Sequence, residues 1–247
     1  MRFLLGVVVL AAACSGGEPA KDTSGDFPPA PVGDERASAM SGAAVADSVM
    51  DRAARTDSRA RVLVVGTSLT AGLGLDPTTA YPAVLQRMAD SAGYAVQVVN
   101  AGLSGETSAG ALRRLEWLLR EPAALVMVET GANDGLRGVD IDSTRANLVA
   151  IVRTVKAALP GAPVLLLQME APPNLGPGYT RRFRENYPAV ARSEGAALLP
   201  FLLEGVAGVR ALNQGDGIHP TVEGSRRVAR NLWPFLEPHL ERLRAAS

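Results

Sequence analysis

Cysteine occurs once in these 247 residues, at Cys14, and histidine twice, at His219 and His239. One thiol cannot close a disulfide within the chain, and two imidazoles 20 positions apart without thiolate partners do not make a zinc site. No metal and no cofactor are therefore expected. Aromatic residues are only 4% of the chain, which argues against a platform for stacking bases. Lysine plus arginine equal aspartate plus glutamate at 25 each, so no charge excess calls for a nucleic acid partner. The longest N-terminal apolar stretch falls well short of the about 20 residues that a membrane-spanning helix needs.

That stretch is informative in another way. Met1-Arg2 is followed by apolar residues Phe3 to Ala13 and then by Cys14, the order of an export signal. Leu10-Ala11-Ala12-Ala13-Cys14 resembles a bacterial lipobox, with its leucine one place further from the cysteine than the commonest pattern has it. The alternative is an ordinary signal peptide cleaved near Ala-x-Ala. Residues 1–14 are read as a lipoprotein-type signal ending at a lipidated Cys14. Residues 15–58, rich in Gly, Ala, Pro, Ser and Asp, are read as a flexible linker. The expected location is exported and lipid-anchored, facing the periplasm or exterior, with the lipidated N-terminus touching the membrane.

With 47% hydrophobic residues, the remainder of the chain can bury one substantial core. Short Val- and Leu-rich runs without polar alternation predict buried parallel strands at Val62–Val65, Val96–Val99, Ala124–Glu129, Val164–Gln168 and Ala197–Leu199. Helical patterns alternate with them at Ala80–Ala92, Ser108–Leu119, Ser143–Leu159, Thr180–Glu194 and Val222–Leu240. This order implies one α/β domain over 59–247, a three-layer α/β/α sandwich. Ligands of such sheets bind at the carboxyl ends of the strands.

Four polar clusters fall at those ends or just before a helix. Ser68 lies beyond the first strand between Gly66 and Gly72, placed either as an exposed nucleophile or, with Thr67, as a helix cap. Asn100-Ala101-Gly102-Leu103-Ser104-Gly105 follows the second strand, and an ordinary Asn/Gly loop fits it equally well. Asn133, after the third strand, carries a non-titrating amide suited to an oxyanion. Asp134 stands beside it. Asp216 precedes His219 by three residues in Asp-Gly-Ile-His-Pro, close enough to orient the imidazole, so Asp216 is preferred over Asp134 as the acid. His239, within the last helical segment, is assigned a structural role. Trp117 and Trp233 are expected to pack within helices.

Together Gly-Thr-Ser-Leu, Asn-Ala-Gly-Leu-Ser-Gly, Gly-Ala-Asn-Asp-Gly-Leu-Arg-Gly and Asp-Gly-Ile-His-Pro resemble the four blocks of the SGNH (GDSL-type) hydrolases. The likeness is strongest to the bacterial arylesterase and thioesterase I/lysophospholipase L1 branch, from about Arg61 to Leu240. It implies a flavodoxin-like fold with a five-stranded parallel sheet. It also implies a serine esterase with Ser68 as nucleophile, His219 and Asp216 as base and orienter, and Ser68, Gly102 and Asn133 as oxyanion donors. Thr67 departs from the pattern, standing where the family usually has an acidic residue, with consequences for loop stability or pH dependence rather than for the chemistry.

The expected partner is a small acyl ester, with thioesters and lysophospholipids as further substrates. Leu69, Leu73, Leu103, Leu136, Met169 and Pro172 are candidates for lining an acyl pocket. Carbohydrate-ester deacetylation and a catalytically silent, lipid-anchored binding protein are the alternatives. No sequence feature specifies an oligomer, and a monomer is the working expectation.

Overall fold

The computed structural model describes residues 59–245. The signal, Cys14 and the linker all lie outside them. Five strands, β1 (Ala60–Gly66), β2 (Val96–Gly102), β3 (Leu125–Val128), β4 (Val164–Gln168) and β5 (Ala197–Phe201), form one sheet in the order β2-β1-β3-β4-β5. Every pairing is parallel. The central strands are apolar along their length because both faces are covered. Val62 to Val65 of β1 and all four residues of β3 are fully buried.

Seven helices accompany the strands: α1 (Ser68–Ala71), α2 (Tyr81–Ser91), α3 (Ser108–Leu118), α4 (Ala132–Arg137), α5 (Ile141–Ala158), α6 (Pro177–Glu194) and α7 (Val222–Ala245). α2 packs on α7, while α3, α5 and α6 pack together. These two groups form the layers that sandwich the sheet. The five long helices match the sequence periodicity within a few residues. The short α1 and α4 escape it because four and six residues are too few to show a 3.6-residue repeat. α7 continues past Leu240, accommodating Pro234 and Pro238 within it. Trp117 departs from expectation: it is 64% exposed on α3, whereas Trp233 contacts Tyr94 at 6.2 Å between ring centroids.

The strand order places β1 between β2 and β3, which are reached by connections leaving in opposite directions. At such a reversal the loops part and open a crevice at the carboxyl ends of the strands. Gly66, Gly102 and Val128, the last residues of these three strands, meet there.

Candidate active site

The nucleophile turn is built by the chain's abrupt change from strand to helix. Thr67 caps α1, its hydroxyl accepting from Leu69 N–H at 3.5 Å, and Gly72 ends the helix in the left-handed region with φ +75. A side chain at Gly66 would run into Thr70 and Glu129, so only glycine lets the turn close. Ser68 is thereby held as the first residue of α1, 8% exposed.

His219 arrives from 151 positions away, and its Nε2 lies 2.8 Å from Ser68 Oγ. Its Nδ1 lies 2.6 Å from Asp216 Oδ2. The other carboxylate oxygen, Oδ1, accepts from the Ile218 and His219 amides at 2.9 and 3.0 Å, with Gly217 at φ +72 turning the loop. The bond to the His219 ring, then these two amides, pull the Asp216 pKa down to about 2. The loop is closed by Gln214 N–H donating to His219 O at 2.7 Å. Gln214 Nε2 also donates to Leu73 O at 2.7 Å, lashing the histidine loop to the segment just after α1. Ser68, His219 and Asp216 are thus brought into one relay.

Asp134 has a different task. It is buried, accepting from Ser108 N–H at 2.8 Å and Ser108 Oγ at 2.5 Å, and so ties α4 to the start of α3. His239 sits on α7 with Nδ1 3.3 Å from Arg242, and burial first, then that arginine, lower its pKa. Among the described residues no cluster of three or more His, Cys, Asp or Glu side chains could hold a metal.

Asn133 donates one Nδ2 hydrogen to Glu106 O at 2.9 Å, which fixes the amide, and its second hydrogen has no acceptor among the described residues. Gly102 requires a correction. Its only N–H is spent on Asn100 Oδ1 at 2.9 Å, while Asn100 Nδ2 donates to Thr70 O at 2.8 Å. The glycine is needed for another reason: a side chain there would strike the backbone of Ala71, preventing β2 from lying against α1. Glu106 N–H closes a turn on Leu103 O at 3.2 Å, with Gly105, three residues on from Gly102, in the left-handed region at φ +78. The Gly105 N–H has no acceptor among the described residues, and Glu106 O, the acceptor for Asn133, is next to it in sequence.

The candidate pocket residues divide in two. Leu69 and Met169, 6% and 2% exposed, are part of the core, and Leu69 also borders the small pocket beside Ser68. Leu73, Leu103 and Leu136 are 47%, 51% and 47% exposed, and Pro172 is half-buried. Behind Ser68 and His219 lies an apolar pocket of about 10 Å³, bordered by Leu69, Leu73, Leu202 and Val228.

One residue of the site is missed by the sequence reading. Glu129 follows β3 and is fully buried. Oε2 accepts from Thr67 N–H at 2.7 Å and Thr70 Oγ1 at 2.8 Å, and Thr67 Oγ1 donates to the carboxylate at 3.0 Å. Burial pushes its pKa up to about 7 against the opposing pull of these donors. An acidic residue at 67 would set a second carboxylate against it, whereas Thr67 offers a donor. The available signal was a charged residue ending an otherwise apolar strand.

Residues 64–227 match the model of the GDSL-like lipase/acylhydrolase family. The chain is 48% identical over 180 residues to esterase TesA of Pseudomonas aeruginosa, covering 72% of this chain and 89% of the relative. It is 38% identical over 188 residues to the thioesterase 1/protease 1/lysophospholipase L1 of Escherichia coli K12, covering 76% and 86%. The crystal structure of TesA superposes with a TM-score of 0.69 at 47% identity, covering 72% of this chain and 99% of that one.

Proposed function

The chain belongs to the GDSL-like lipase/acylhydrolase family and hydrolyses carboxylic esters, and we propose that it does so through an acyl-enzyme on Ser68. The observation that carries this reading is the relay of 2.8 and 2.6 Å from Ser68 through His219 to Asp216. As Ser68 Oγ bonds to the ester carbonyl carbon, its proton passes to His219 Nε2 and the carbonyl electron pair moves to oxygen. Asp216, ionised, holds Nδ1–H and favours the imidazolium. Collapse of the intermediate breaks the bond to the leaving oxygen, which takes the proton from His219. Water, deprotonated by the same nitrogen, then releases the acid and restores Ser68.

Three donors serve the oxyanion in this account: the second Nδ2 hydrogen of Asn133, the Ser68 N–H, and the Gly105 N–H in place of Gly102. The free Gly105 amide and the occupied Gly102 amide support that exchange. Thioesters and lysophospholipids are proposed as further substrates, supported by the names of the relatives. Leu73, Leu103 and Leu136 offer exposed apolar surface for an acyl chain, and a small apolar pocket borders Ser68 and His219. Rates on acyl esters of increasing length separate these two sites.

The location is proposed from the N-terminal sequence alone: export, then lipidation of Cys14. Cys14→Ser is expected to release the protein from the membrane fraction, and retention there would refute the anchor. The enzymatic reading is tested with purified Ser68→Ala on p-nitrophenyl butyrate. Turnover at the parental rate would refute it.

A further inference from the structure

We infer that Glu129 is a positioning residue for the nucleophile, whose ionised carboxylate aligns the turn on both sides of Ser68 toward His219. The inference rests on the reading of Ser68 as nucleophile. Glu129 touches neither Ser68 nor His219. It acts through Thr67, the residue before the serine, and Thr70, two residues after it.

The bonding pattern favours the ionised form. A carboxylate only accepts, and here it meets a backbone N–H and two hydroxyls as donors. Tyr81 Oη, 2.7 Å from Thr70 Oγ1, completes the chain by donating to that oxygen, which has given its own hydrogen to Glu129. Protonating Glu129 places a hydrogen between groups already directed at it, and one donor must turn away. The donors free to rotate are the Thr67 and Thr70 hydroxyls, so protonation loosens the ties that hold the turn on either side of Ser68.

The surroundings explain why this charge titrates in a functional range. No lysine or arginine forms an ion pair with Glu129 among the described residues. The nearest cationic group on α3, Arg114, is held by Glu106 and by the carbonyls of Gly66 and Ala101. From α2 comes Tyr81 and from α6 comes Tyr187, whose hydroxyl donates to Thr130 O at 2.9 Å. Burial, with the charge of Glu129 contributing, raises both tyrosine pKa values well above the ordinary one, so neither loses its proton near neutrality. Asp216, held down to about 2, does not titrate there either. Protonation of Glu129, raised by burial to about 7, then opposes activity on the acid side.

The experiment is the pH dependence of kcat/KM for p-nitrophenyl butyrate hydrolysis by the full chain, from about pH 5 to 9, with Ser68→Ala run in parallel. Glu129→Gln is expected to lower kcat about 10- to 100-fold at pH 8 with KM little changed. That gap is expected to close as pH falls below about 7, where the parent also carries a neutral carboxyl. Glu129→Asp, which keeps the charge but shortens its reach, is expected to lose less at pH 8 and to approach the parent over the same pH range. If Glu129→Gln does not fold, the ratio of parent to aspartate variant decides in the same way. A ratio of parent to variant that stays constant from about pH 5 to 9, or a Glu129→Gln profile that overlays the parent's, overturns the inference. Activity persisting in Ser68→Ala overturns instead the underlying reading of the site.

Discussion

Two carboxylates support the serine relay from opposite sides, and their environments drive them in opposite directions. Asp216 is 45% exposed in a loop and is pulled down to about 2 by hydrogen bonds from its own neighbours in sequence. Glu129 is wholly buried under α1 and is pushed up to about 7, although it too accepts several hydrogen bonds. The difference lies in solvent: water shares the charge of Asp216, whereas the charge of Glu129 is borne by protein dipoles alone. One carboxylate is therefore a permanent anion that orients the base. The other is a conditional anion beneath the nucleophile.

Substitutions can break this contrast, and the largest effect is expected on the base side. Asp216→Asn should leave the loop folded but favour the wrong imidazole tautomer, lowering kcat by about 10⁴-fold. A loss smaller than tenfold in steady-state assays would remove Asp216 from the relay. Asn133→Ala, which deletes an oxyanion donor facing neither carboxylate, is expected to cost about 100- to 1,000-fold in kcat. Circular dichroism should show it folded.

The nucleophile side is distinguished by stability. The folded pKa of Glu129 is raised from an ordinary 4.5 to about 7. Below pH 4.5 both the folded and unfolded chains hold the proton, and there is no penalty. As pH rises to about 7 the unfolded chain loses its proton first, and folding becomes less favourable by about 3 kcal/mol from this group. Glu129→Gln should remove that contribution, so denaturant titrations at pH 5 and 8 should show a smaller stability difference than in the parent. The exposed Asp216 has the opposite sign: its contribution is present above its ordinary pKa and fades as pH falls toward 2. The smallest expected effect is that of Tyr81→Phe, which removes one hydroxyl from the chain leading to Glu129 and should cost about 1 kcal/mol in the same titrations.

The same contrast explains what could be read from the chain alone. Asp216 and His219 are three residues apart, so a local loop brings them together and the spacing itself is a signal. The central strands were equally plain, because burial on both faces demands continuous Val and Leu. Glu129 meets Thr67 across 62 positions, through the pairing of β1 with β3, and no local pattern encodes that meeting. Gly102 was misassigned for a related reason. A glycine at a strand end is compatible with giving its N–H to a ligand or with admitting a neighbouring backbone, and only the fold shows that α1 occupies the space beside it. Leu69 and Met169 are likewise buried, which an apolar side chain alone does not reveal.

Covalent trapping reads out whether Ser68 is the group the relay activates. The intact protein is treated with a fluorophosphonate at pH 8, digested with trypsin and analysed by mass spectrometry. One phosphonyl group is expected, on Ser68 within the peptide Val62–Arg87, with none in Asp216→Asn over the same interval. Stoichiometric labelling of any other residue, or an unlabelled Ser68 in protein that still cleaves ester, would rule out Ser68 as the nucleophile.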